Sequence, residues 1–216
     1  PGRLDKAMTV ARPKDAASLI LVRRDTAVPR VLMGRRSNGH DFVPGKWVFP
    51  GGKVERADYG GAVLRDLRPE VASGLAASAR LKRQDGPRLA RALARAAIRE
   101  TFEETGLVVG RAAGDGIRGD LGALSYVARA ITPPRLPKRF DARFLLADAT
   151  ELPSLHVEGG RELDKVGWFS IEECFGLEII PVTEAVLAVV RDHLQGRAGR
   201  HLPFWRWMPG KPQAAL

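Results

Sequence analysis

Apolar residues run almost unbroken through 16–24, AASLILVRR, and again through 29–36, PRVLMGRR. Both stretches read as strands, joined by the turn DTAV. SNGHDFVPGK follows, a loop with two glycines and a proline. WVFPGGK then predicts a short apolar strand that stops at Pro50-Gly51-Gly52. Residues 61–80 are alanine-rich and predict one or two helices, the second opening at Pro69. KRQDGP breaks the chain, with Asp85 and Pro87 as start signals for a long helix over 88–105 that Gly106 ends. Strands are predicted at 120–131, 139–147 and 163–169. A last amphipathic helix is predicted at 182–195, where Val186, Leu187, Val190 and Leu194 recur at helical spacing. Beyond it lies a Gly/Pro-rich tail with an aromatic cluster. Irregular alternation of strands and helices points to α/β or α+β with a mixed sheet.

The long helix ends in RETFEETG, residues 99–106. Positions i, i+3 and i+4 share a helix face, so Glu100, Glu103 and Glu104 repel one another. With Ile98 at zero on a wheel of about 100° per residue, Phe102 falls near 40° and the glutamates near 140–240°. This predicts Ile98 and Phe102 in the core and three carboxylates facing a cleft. A divalent cation would offset the repulsion, and oxygen donors suit Mg²⁺ or Mn²⁺. The plain alternative is a solvated acidic face paired with arginines such as Arg95 or Arg99. The glycine pair upstream favours the cation, because it lets backbone approach a metal or phosphate closely.

Composition narrows the class. The 216 residues suffice for one substantial core, and 44% hydrophobic with 28% charged is ordinary for a globular protein. A net charge of +10 suits a polyanion, although an arginine-rich base composition accounts for the excess equally well. The single cysteine, Cys174, excludes an internal disulfide and any cysteine-based zinc site, and reads as structural. No apolar run approaches a membrane span, and the N-terminal stretch lacks a signal segment. The C-terminal AAL is not a peroxisomal address. These readings make a cytoplasmic location the expectation.

GGKVERAD followed by RETFEETGL resembles the signature of the Nudix hydrolases. Gly52 matches its first glycine. Arg99, Glu100, Glu103, Glu104, Gly106 and Leu107 match its second half. Asp58 stands at the first acidic position in place of glutamate, and Thr101 at an apolar one. The usual spacer of seven residues is here 40, from 59 to 98, so an insert of about 33 splits the motif. A split motif also occurs in a long-insert subgroup that includes a peroxisomal coenzyme A diphosphatase, and KRFDARFLLAD, 138–148, resembles the strand that subgroup carries next. The resemblance implies an α/β/α sandwich around a mixed sheet. It implies one domain over 1–195, a helical insert at 59–87 as a lid or a decoration, and a tail at 196–216.

The same resemblance implies Mg²⁺- or Mn²⁺-dependent hydrolysis of a small nucleotide-diphosphate substrate. Glu100 and Glu104 are the implied metal ligands, with Glu103 sharing the metal and the Gly51 carbonyl adding a donor. Arg99 would orient a neighbouring glutamate. The base is left open between the box helix and a later loop with His156, Glu158 and Glu162. Arg35, Arg36, Arg139 and Arg143 are candidate diphosphate contacts, since guanidinium pairs bidentately with phosphate. Arg139 and Arg143, four apart on a strand, point the same way. Asp41 stands where coenzyme A-cleaving members carry a second arginine, which weakens that substrate. Two other readings are a non-catalytic ligand-sensing domain and an RNA-end (cap) hydrolase. Dispersed arginines without interleaved aromatics predict no dedicated nucleic-acid surface. The tail's Phe204, Trp205, Trp207 and Met208 would cover the domain itself or, as the second choice, a homodimer partner.

Overall fold

The computed structural model describes residues 11–39, 42–79, 85–114, 116–197, 199 and 201–206. Asp41, Trp207 and Met208 lie outside them. Strand β1, Lys14–Arg23, is buried on both faces and pairs along its length with β8, Phe140–Asp148, in parallel. A strand covered on both sides needs apolar residues at every position, which is why its sequence lacks alternation. On its other edge β1 pairs antiparallel with β2, Arg30–Arg36, and with β4, Gly51–Lys53. β2 continues to β3, Trp47–Val48, and to β9, Leu163–Ser170. β7, Ser125–Ile131, flanks β8.

The apolar run at 47–53 thus becomes two strands that pair with different neighbours, divided at Phe49-Pro50. Pro50 has no N–H to continue a ladder, but its carbonyl accepts from Leu19 N at 2.9 Å.

One face of the sheet carries Leu19, Leu21, Leu145 and Ala147 against α2, Gly86–Thr105, with α1, Pro69–Ala77, beside it. The other face carries Ile20, Val22, Phe144 and Leu146 against α3, Ile171–Phe175, and α4, Pro181–Leu194. This is the expected α/β/α sandwich around a mixed sheet. Among the described residues, no helix is long and apolar enough to cross a membrane. Burial pushes the Cys174 thiol up to about 12, with Glu173 and Glu172 adding to it, so it is an inert core group.

Only Pro69–Ala77 of the stretch 61–80 is helical in the described residues. Arg68 before the proline is extended, at φ −62° and ψ 145°, as the ring of the next residue demands. Upstream, Arg65 bridges to Asp120 instead of entering a helix. The strand predicted from 120 begins at Ser125, because 121–123 form a 3-10 turn. Other elements went unpredicted. A small hairpin joins β5, Gly110–Ala113, to β6, Gly116–Gly119. α3 opens with a capping box in which Ser170 and Glu173 satisfy each other's backbone, a signal present in the sequence as SIEE. Within the tail, β10, Phe204–Arg206, pairs in parallel with β7, and the Arg129 guanidinium stacks on Phe204 at 4.6 Å.

Arg143 is the largest departure. Its guanidinium is fully buried. It donates to Ser78 Oγ at 3.1 Å, Ser78 O at 3.0 Å, Asp141 O at 2.7 Å and Asp15 Oδ1 at 2.5 Å. Arg129 closes on the same buried Asp141 through two bonds of 2.8 and 2.7 Å. A guanidinium whose three nitrogens are spent inside the fold is a tie between β8, β1 and the end of α1, not a phosphate contact.

Candidate active site

Helix α2 sets the site. Its buried stripe runs through Ala90, Leu93, Ala94, Ala97, Thr101 and Thr105. On the wheel this stripe centres near 280°, about 100° from where Ile98 and Phe102 alone would put it. Phe102 is therefore only half-buried, and Glu104 comes to the edge of the interior. The small side chains upstream let the helix lie close to the sheet, and the acidic end is carried in with it.

Thr101 takes the apolar position of the motif at no polar cost, since its hydroxyl donates to Ala97 O at 2.8 Å. Thr101→Val is expected to change unfolding free energy by less than about 1 kcal/mol. A urea midpoint loss equivalent to about 2 kcal/mol would show that the hydroxyl has a role beyond filling space.

The three glutamates part company. Glu104 is 8% exposed and accepts from Gly51 N at 2.9 Å. Glu100 lies against Gly52 so closely that a side chain there would occupy the space of its carboxylate. At Gly51, φ is 152° and an added Cβ would sit 2.5 Å from Ala17 O and Ser18 Cα. Gly51 is thus required by the backbone of β1, whereas a side chain at Gly52 would displace the Glu100 carboxylate. Glu103 turns outward, half-exposed, to Arg99.

Burial pushes the Glu104 carboxyl up to about 8, against the Gly51 N–H and with the repulsion of Glu100 adding to it. Glu100 is raised in the same way, first by burial and then by Glu103 and Glu162, with Arg99 opposing. Arg99 opposes the shift at Glu100 and Arg36 opposes it at Glu104, but burial outweighs both.

Arg99 joins the halves of the motif. Its Nε and Nη2 each reach Asp58 at 3.0 Å, and Nη1 reaches Glu100 and Glu103 at 3.0 Å. Asp58, 3% exposed, also accepts from Glu55 N at 2.7 Å. Its role as the anchor of the loop was missed in the sequence, where the only signal was its place in the motif. Arg99 holds its proton more tightly than a free guanidinium. Burial opposes this, but Asp58 and Glu100 more than offset it.

The remaining candidates scatter. Arg36 lines a cavity beside Gly51 and Gly52 and lies in the field of Glu104, Glu162 and Glu100. Arg35 is held by Asp164 in a bidentate pair at 2.8 Å. Arg139 donates to Thr132 O at 3.0 Å and Ala11 O at 2.8 Å. His156 and Glu158 pair with each other at 3.0 Å in solvent. Of the loop candidates, Glu162 is the one whose charge bears on Glu100 and Glu104.

Among the described residues, no three acidic, histidine or cysteine side chains converge into a closed cation cage. An open pair of carboxylates is what a hard cation needs when it keeps water and takes substrate oxygens.

No family model and no curated protein matches the chain. Solved structures do. A Nudix hydrolase from Alicyclobacillus acidocaldarius superposes at a TM-score of 0.58 and 26% identity, over 83% of this chain and 92% of that one. The Nudix hydrolase RenU from M. smegmatis does so at 0.50 and 17%, over 87% and 89%. The NUDIX domain of Shewanella oneidensis NrtR, crystallised with ADP ribose, does so at 0.52 and 13%, over 85% and 90%. The fold is that of the Nudix hydrolases.

Proposed function

We propose that the chain hydrolyses a diphosphate bond in a nucleoside diphosphate derivative, or a related diphosphate, with a divalent cation held by Glu100 and Glu104. One observation carries this reading: an insert of about 33 residues notwithstanding, Gly51 N–H meets Glu104 at 2.9 Å and Gly52 makes room for Glu100. The oxygen-only donor set suits Mg²⁺ or Mn²⁺. When bound, such an ion neutralises diphosphate charge, polarises phosphoryl oxygens and makes water more acidic.

The chain's own residues do the rest. Gly51 N–H fixes one oxygen of Glu104, and the carboxylate would hold the cation from that fixed position. Arg99 clamps Glu100, so the two ligands are preorganised. Arg36 supplies positive charge to the departing phosphate. Glu103, paired with Arg99, and Glu162 are the carboxylates whose charge bears on Glu100, and they are the candidates to take the proton of the attacking water. Coenzyme A and acyl-CoA belong to this substrate class and are among the compounds to test.

The test is product analysis with Mg²⁺ over coenzyme A species, NADH, ADP-ribose, dinucleoside polyphosphates and capped RNA. Glu103→Gln and Glu162→Gln run beside the wild type. The base is the one whose loss lowers kcat by about 10²–10⁴. Binding without any product would favour a ligand-sensing domain instead.

A further inference from the structure

Gly51 and Gly52 form one wall of a cavity of about 310 Å³, and Arg36 stands among its lining residues. The glycine pair that receives Glu104 and Glu100 is thus shared between the acidic centre and the cavity. Four phenyl rings dominate the other walls, set in two edge-on pairs: Phe42 with Phe140 at 5.2 Å, and Phe49 with Phe144 at 6.3 Å. Leu136, 42% exposed, extends the apolar surface to the rim.

Polar groups are few. Besides Arg36 the polar side chains are the hydroxyls of Ser18, Thr132 and Thr183, and Thr132 Oγ1 already accepts from Phe140 N at 3.0 Å. A nucleobase carries ring nitrogens and exocyclic groups that lose water on entry and need partners. Among the described residues, the side chains that line this cavity offer few. A hydrocarbon loses nothing by the same transfer and gains from every apolar contact.

Resting on the diphosphatase reading above, we infer that the cavity takes an apolar hydrocarbon group attached to the diphosphate, an alkyl, acyl-bearing or isoprenyl chain rather than a base. A cavity of 150 Å³ holds benzene, so about twice that volume holds about ten carbons. The chain enters past Leu136, its diphosphate rests at Arg36 and the glycine pair, and the bridging bond faces Glu100 and Glu104. Water's oxygen bonds to one phosphorus as the bridging P–O bond breaks. The bridging oxygen leaves with the electron pair, water's proton goes to the base, and two phosphate products result.

The experiment uses the full chain and a matched pair of substrates, the P-methyl and P-decyl esters of ADP, with geranyl diphosphate as a nucleotide-free arm. Hydrolysis is followed with Mg²⁺, and binding is followed by calorimetry without it. The decyl ester is expected to exceed the methyl ester in kcat/KM and in affinity by at least about 100-fold, since each buried methylene adds a severalfold factor. Geranyl cleavage with the decyl preference identifies the hydrocarbon alone as sufficient. A decyl preference without it means that the nucleotide is needed as well. Ala142→Leu, which fills the cavity, is expected to pull the decyl-to-methyl ratio towards one. Equal handling of the two esters by the wild type overturns the inference and leaves the diphosphatase reading intact. A decyl preference in binding with no hydrolysis of any compound supports the cavity assignment and overturns the catalytic reading.

Discussion

Glu104→Gln is expected to lower turnover by about 10²–10³-fold while the domain stays folded, on the scale of losing one preorganised group in a dry site. The amide oxygen still accepts from Gly51 N–H, so local structure survives, but the charge proposed to hold a cation is gone. Stability moves in the opposite direction. In the cation-free protein, burial and the neighbouring Glu100 hold the Glu104 carboxyl near 8, whereas an exposed glutamate titrates near 4.5. The folded state therefore binds more protons than the unfolded chain between those values. The contribution is fully present below about 4.5 and is lost as pH rises through about 8. Urea unfolding in a chelator should show wild type weakening from pH 5 to pH 8 and Glu104→Gln weakening much less. Facing Glu104 are Gly51 N–H and Arg36, which favour its charge, and Glu100 and Glu162, which oppose it. Adding Mg²⁺ at pH 8 should raise the wild-type midpoint and leave that of the variant unchanged. Equal pH slopes in the two proteins, or full turnover in the variant, would remove Glu104 from the centre.

The elements that could be read in the sequence are those whose stabilisation is local. β1 and β2 announce themselves as apolar runs, and α2 and α4 as apolar periods bounded by Pro87, Gly106 and Pro181. The candidate site was legible only where chemistry and position coincide in a short motif, at Gly51, Gly52, Glu100 and Glu104. What could not be read was which side of each element meets which neighbour. Arg139 and Arg143 do share strand parity, but parity does not say that the face is interior, and Arg143 became a buried tie instead of a phosphate contact. The wheel of the acidic turn erred for the same reason. Eight residues near Phe102 suggest one apolar arc, whereas Ala90, Ala94 and Ala97 fix another. Glu103, formally one of three equivalent acids, is sent outward by that rotation.

The pairing of Asp58 with Arg99 spans 41 residues, a separation at which no local pattern carries information. Its removal has a large expected effect. Arg99→Ala leaves Asp58, 3% exposed, as a buried carboxylate with only the Glu55 N–H beside it. Breaking a buried pair on one side costs about 3–5 kcal/mol, a large share of the 5–15 kcal/mol that holds a typical domain together. By contrast, Arg35→Ala disrupts a pair with Asp164 that is about one-third exposed on both sides, and should cost under about 1 kcal/mol. Denaturant midpoints compare the two directly. The cycle with Asp58→Ala adds a sharper check: the double variant should be less destabilised than the sum of the singles, because the second change removes the charge that the first one stranded. Turnover should fall in Arg99→Ala beyond what partial unfolding explains, since Glu100 loses the clamp that holds it against Gly52. If Arg99→Ala proves no costlier than Arg35→Ala, the two halves of the motif are held together by the insert itself and not by this pair.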